Sequence, residues 1–135
     1  MPRRITSLRQ VAETSSAPER SVLCVSTDEN IREEARFGFP AGVSVTCAGD
    51  SREAWTMLQR FTPHAVIVDI QTGNAGGIDL AREMSRDPRL EAIPLLLLLQ
   101  RAEDRWLADQ GGADGILVKP VVADELVRAT LSLIP

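Results

Sequence analysis

The sequence predicts an α/β fold, a doubly wound parallel sheet of five strands laid down as five successive strand–helix units, (βα)5. Three observations predict it. Short apolar runs alternate with amphipathic stretches from Ser21 to the end of the 135 residues. Most of those runs are apolar throughout, as strands covered on both faces must be. Glycine and proline separate the units at short intervals.

Val22–Val25 has strand length, and the stretch Asp28–Arg36 after it carries Ile31 and Ala35 at helical spacing until Gly38 and Pro40 stop it. Val43–Cys47 reads as the second strand. Asp50 with Glu53 three residues on resembles a capping box. The helix it opens shows Ala54, Trp55, Leu58 and Phe61 on one stripe, which places Trp55 in or beside the core. Ala65–Val68 is the third strand and runs into Asp69. A loop with Gly73, Gly76 and Gly77 leads to a third helix over Ile78–Arg86. Leu95–Leu99 is read as a buried strand because Pro94 stands at its start. Ala102–Gln110, closed by Gly111 and Gly112, is a fourth helix. Ile116–Val118 is the fifth strand and Ala123–Ile134 the fifth helix. Crossovers between the strands are expected to be right-handed.

Composition excludes several classes. The formal net charge is −4, with no concentrated basic face expected, so the chain is not read as a nucleic-acid binder. The longest apolar run falls far short of the roughly 20 residues of a membrane helix. The N-terminus has no apolar stretch of secretory type, so the expected location is cytoplasmic. Cys24 and Cys47 both lie in apolar segments and read as reduced thiols; they are too few for the framework of a small secreted domain. Residues 1–20 carry four arginines against two glutamates, a net of +2, and read as a flexible tail; residues 21–135 then carry −6 and form one domain. The tail's arginines are either simply solvated or a contact for an acidic partner. The initiator Met and the end just after the fifth helix favour a stand-alone protein.

In a doubly wound sheet, chemistry gathers where the strands end. Strand one ends in Ser26, Thr27 and Asp28, strand three in Asp69, strand four in Leu99 and Gln100, and strand five in Lys119 and Pro120. Lys119 is the single lysine among 15 basic residues. An ammonium beside a carboxylate at a switch point suits an anion or a phosphoryl group. No glycine-rich loop follows strand one, so a cradle for a nucleotide or flavin phosphate is missing.

Together, Val22–Val25, Val66–Asp69, Gly77 eight residues after Asp69, Ile93-Pro94 and the segment Gly112–Pro120 resemble the receiver domain of bacterial two-component response regulators. The resemblance covers residues 21–135 and implies a flavodoxin-like sheet in strand order 2-1-3-4-5, with a cis bond at Lys119-Pro120. It implies Asp69 as phosphoacceptor, Lys119 as the phosphate contact, and a Mg²⁺ held by an acidic pair, Asp69 and the Gln71 backbone carbonyl. The acidic-pair positions are Ser26 and Thr27, both neutral, with Asp28 as a doubtful substitute. The hydroxyl and aromatic switch positions are Leu99 and Ile116, and the loop proline is Gly73. Mg²⁺ wants an octahedron of hard oxygens, usually with one or two carboxylates. No cofactor is therefore firmly expected, and Mg²⁺ only as a weak ligand.

Asp69 and Lys119 are read either as the phosphorylation pair or as a structural ion pair. Ser26 and Thr27 read as caps of the first helix or as weak, water-mediated metal contacts. His64 reads as a surface or capping residue. Trp106 reads either as packed or as an exposed anchor on the face formed by the fourth helix, fifth strand and fifth helix. Arg101, Arg105 and Asp109 share that face, by which receivers meet targets and form dimers. The principal expectation is an atypical single-domain response regulator: a protein-binding module without catalytic residues, not an enzyme, partnered by a histidine kinase or a larger complex. The alternative is a phosphorylatable receiver taking phosphate on Asp69 from a histidine kinase or relay.

Overall fold

The computed structural model describes residues 19–71 and 76–135, so the reading of residues 1–18 and the effect of Gly73 lie outside the described residues. Five strands alternate with five helices: β1 Arg20–Val25, α1 Glu29–Gly38, β2 Val43–Ala48, α2 Ser51–Leu58, β3 Ala65–Asp69, α3 Gly76–Arg86, β4 Leu95–Leu99, α4 Arg105–Gly111, β5 Gly115–Val118 and α5 Ala123–Leu133. The strands form one sheet in the order β2-β1-β3-β4-β5, all pairs parallel. This is the expected (βα)5 arrangement, with β1 beginning at Arg20, inside the stretch read as tail.

The two faces of the sheet follow from the two-residue repeat of a strand. Leu23, Val25, Val66, Val68, Leu95, Leu97 and Leu99 pack with Ala54, Leu58, Leu80, Ala81, Met84 and Ala108 from α2, α3 and α4. Val22, Cys24, Ala65, Ile67, Leu96 and Leu98 pack with Ile31, Ala35 and Leu126 from α1 and α5. β3 and β4 are buried along their whole length, so their runs show no alternation. β2, at the sheet edge, alternates half-buried and exposed residues until Ala48.

The helix ends are fixed by local chemistry. Asp50 accepts the Glu53 N–H at 2.8 Å, while Glu53 reaches back to the Gly49 N–H at 2.7 Å. The fourth helix begins later than its apolar pattern suggests: Ala102–Asp104 forms a tight 3-10 turn before α4. α4 ends in Gly112, whose φ of +73° is the left-handed conformation that glycine adopts without strain. At Gly77 a Cβ would stand 2.4 Å from the Asp69 carbonyl oxygen, so only glycine lets α3 start against the end of β3. Asp114 ties β4 to β5: its carboxylate accepts the Leu95 N–H and its own N–H donates to the Leu95 carbonyl, both at 2.8 Å. The Lys119-Pro120 bond is cis. No described helix is long and apolar enough to cross a membrane.

Candidate functional site

β1, β3 and β5 end at the same edge of the sheet and bring Ser26, Asp69 and Lys119 together. Register explains why. Val25 pairs with Val68, so the next residues on β1 and β3, Ser26 and Asp69, are neighbours. Val118 pairs with Leu99, and the Lys119 N–H donates to the Leu99 carbonyl at 2.8 Å, which aims the lysine back across β4.

Asp69 is 1% exposed. Its Oδ2 accepts the Lys119 ammonium at 2.7 Å and the Ser26 hydroxyl at 2.8 Å. Its Oδ1 accepts the Gln71 N–H at 3.2 Å. The carboxylate therefore has three protein donors, which a buried anion requires. Ser26 is itself fully buried, and its hydroxyl oxygen accepts the Asp28 N–H at 2.9 Å while its proton goes to Asp69. The exposed Thr27 hydroxyl donates to the Gln71 carbonyl at 3.5 Å, a long contact. Asp28 Oδ1 accepts the Asn30 N–H at 2.9 Å, and Asp28 Oδ2 lies 4.0 Å from the Lys119 ammonium.

The expectation that Ser26 and Thr27 cap the first helix needs correction. Asp28 is the N-cap residue of α1. Its side chain accepts the Asn30 N–H of the first turn, which leaves the hydroxyls before it without that partner. The hydroxyls turn instead toward β3. Sequence reasoning missed that destination. The available signal was the burial forced on Ser26 by its place at the end of a fully buried strand.

Asp69, Asp28 and the Gln71 carbonyl could contribute oxygens to Mg²⁺, but Asp69 already has three donors and Asp28 Oδ1 is held by a backbone amide. Among the described residues, no group of three His, Cys, Asp or Glu side chains is placed to hold a metal ion. A hard dication that prefers anionic oxygens fits this set poorly. A groove of about 550 Å³ opens beside Lys119, lined also by Asp28, Glu33, Glu34 and Gln100, but Asp69 does not line it. Three carboxylates against one ammonium make that groove electronegative.

The other sequence candidates lie elsewhere. Leu99 is fully buried in the α2–α4 face of the core, and half-buried Ile116 packs against the same cluster. Arg101, Arg105, Trp106 and Asp109 are all exposed, Trp106 at 57%, which decides between its packed and exposed readings. Trp55 is half-buried against the core. His64 is exposed and accepts the Ser21 N–H at 3.0 Å, tying the entry of β3 to β1.

Comparison with known proteins agrees with the fold. Residues 22–131 match the model of the response regulator receiver domain. Protein RcaC of Microchaete diplosiphon is 33% identical over 94 residues, 68% of this chain and 14% of that protein. Response regulator Rre1 of Synechocystis is 30% identical over 118 residues, 84% of this chain and 51% of that protein. The chain thus spans about half of one of these relatives and about a seventh of the other. The chemotaxis response regulator CheY4 of Vibrio cholerae superposes with a TM-score of 0.79 at 25% identity, covering 87% of this chain and 99% of that one. With the strand order and the aspartate–lysine pair already in place, the family match is decisive: the chain belongs to the response regulator receiver domains of two-component signalling.

Proposed function

We propose that this receiver works as a protein-binding module, not as an enzyme, and that its phosphorylation site is closed by hydrogen bonds. The observation that carries the reading is the direction of two hydroxyls. Ser26 donates to Asp69 and Thr27 to the Gln71 carbonyl. Those are two of the oxygens that the family resemblance assigns to the cation. Neutral donors at both positions supply part of the electrostatic role of Mg²⁺ without its charge. Coulomb attraction to a dication exceeds what two hydroxyl dipoles offer, so the carboxylate stays hydrogen-bonded but no phosphoryl group is drawn in. Burial of Asp69 and the electronegative groove beside Lys119 oppose an anionic phosphodonor as well.

Binding then falls to the face of α4, β5 and α5, where Arg101, Arg105, Trp106 and Asp109 stand exposed. An exposed tryptophan and two exposed arginines on one short stretch of chain are residue types enriched at interface centres. The partner is a protein, either a histidine kinase or a larger complex, met in the cytoplasm. One observation favours a second reading, a phosphorelay through Asp69: the 2.7 Å Lys119–Asp69 pair is the geometry that phosphate transfer onto an aspartate needs.

Amide NMR separates the two. The chain is titrated with millimolar Mg²⁺ and then beryllofluoride, with Asp69→Ala as control. A closed site gives no saturable shifts. Saturable shifts at Asp69, Lys119 and β5 that vanish in Asp69→Ala would establish the relay instead.

A further inference from the structure

β1 and β2 bring two thiols side by side. Cys24 and Cys47 pair in register across neighbouring parallel strands, so their side chains leave the sheet on the same face. Such strands run about 4.8 Å apart, inside the Cα spacing of about 4.4–6.8 Å that a disulfide spans. Both cysteines are free. Cys24 is fully buried, while Cys47 lies half-buried on the edge strand.

The surroundings divide their chemistry. α1 crosses this face of the sheet and carries Arg32 and Arg36, both anchored by Glu29. Cys47 is pulled down from the usual thiol range to about 6, first by the Cys24 thiol acting as hydrogen-bond donor and then by Arg36 and Arg32, against the cost of its partial burial. Cys24 moves the opposite way, raised by its hydrogen bond to Cys47 and by burial. One sulfur is a nucleophile at the rim; its neighbour is a protonated thiol behind it.

We propose that Cys47 is a hydroperoxide-reactive thiol and Cys24 its resolving partner, forming an oxidative modification site on the edge of the sheet, separate from Asp69. The Cys47 thiolate attacks the terminal oxygen of a hydroperoxide. The S–O bond forms as the O–O bond breaks, and the departing alkoxide leaves as the alcohol after taking a proton. Sulfur is oxidised by two electrons to the sulfenic acid and the peroxide is reduced. Cys24 sulfur then attacks Cys47 sulfur: the S–S bond forms, the S–O bond breaks, and the hydroxyl leaves as water with the Cys24 proton. Two thiols and one hydroperoxide become one disulfide, one alcohol and one water. The product ties the edge strand β2 to its neighbour β1. Thiol exchange restores the pair.

The test treats the reduced full chain with hydrogen peroxide and reads intact mass and peptide maps. Expected are a loss of about 2 Da and a peptide joining Cys24 to Cys47. Cys24→Ser should stop at the sulfenic acid, trapped by dimedone on Cys47, and Cys47→Ser should show neither product. Independently, iodoacetamide alkylation of Cys47 in the wild-type chain should rise with a midpoint near pH 6, and Arg36→Gln should move that midpoint upward. The groups facing the thiolate are Arg32, Arg36 and Cys24. Absence of the cross-linked peptide in the wild-type chain, or an alkylation midpoint in the ordinary thiol range of about 8.5, overturns the proposal.

Discussion

Asp69 and Trp106 lie near the same edge of one sheet and are opposites. Asp69 is 1% exposed and has three donors supplied by the protein; Trp106 is 57% exposed. A receiver that cycles through a bound cation needs an open carboxylate cluster, and the proposed reading is that hydrogen bonds to Asp69 close it here. What stands exposed is an aromatic side chain next to Arg105 in the sequence. On the proposed reading, function lies at the exposed face and not at the buried carboxylate.

The contrast can be broken by substitution. The largest effect is expected for Asp69→Ala, which strips the Lys119 ammonium, 16% exposed, of its 2.7 Å partner and leaves it Asp28 at 4.0 Å. Removing one partner of a buried pair costs about 3–5 kcal/mol. The groove and Asp28 offer Lys119 some relief, so about 3 kcal/mol is expected in urea unfolding. A loss below about 1 kcal/mol would mean that the pair is solvated, and the site open after all.

Ser26→Ala comes next. It removes a donor from Asp69 and leaves the Asp28 N–H without its acceptor, for a loss of about 1–2 kcal/mol. The same unfolding measurement checks it, and no loss would show that the hydroxyl is a bystander.

Trp106→Ala should change stability least, within about 0.5 kcal/mol, because little of the indole is packed. Acrylamide should quench Trp106 strongly in a Trp55→Phe background. A blue-shifted, protected Trp106 would mean that this face is already covered.

Much of this was legible in the sequence because apolar runs and their spacing are read directly. Pro94 marked Leu95–Leu99 as a buried strand, and Gly111 and Gly112 marked the end of the fourth helix, although that helix starts at Arg105 and not at Ala102. The site was legible at Asp69 and Lys119, whose residue types and positions at strand ends carry the chemistry. Ser26 and Thr27 were not. A hydroxyl next to a helix start looks like a cap, and which neighbour it chooses depends on whether a better cap, here Asp28, stands one residue further on. Cys24 and Cys47 were likewise separate residues until register set them opposite each other, since 23 positions of chain separate them and pairing across strands is a tertiary fact.

Hydrogen-bond closure is tested most directly by the urea midpoint measured with and without Mg²⁺, for the wild-type chain and for Ser26→Asp/Thr27→Asp. Restoring two carboxylates beside Asp69 should destabilise the variant through like-charge repulsion, and Mg²⁺ should return the loss, by about 2.7 kcal/mol when present at 100 times its dissociation constant. The wild-type midpoint should not move at millimolar Mg²⁺. A wild-type midpoint that rises with Mg²⁺ as the variant's does would contradict closure and return Asp69 to the phosphorylation cycle.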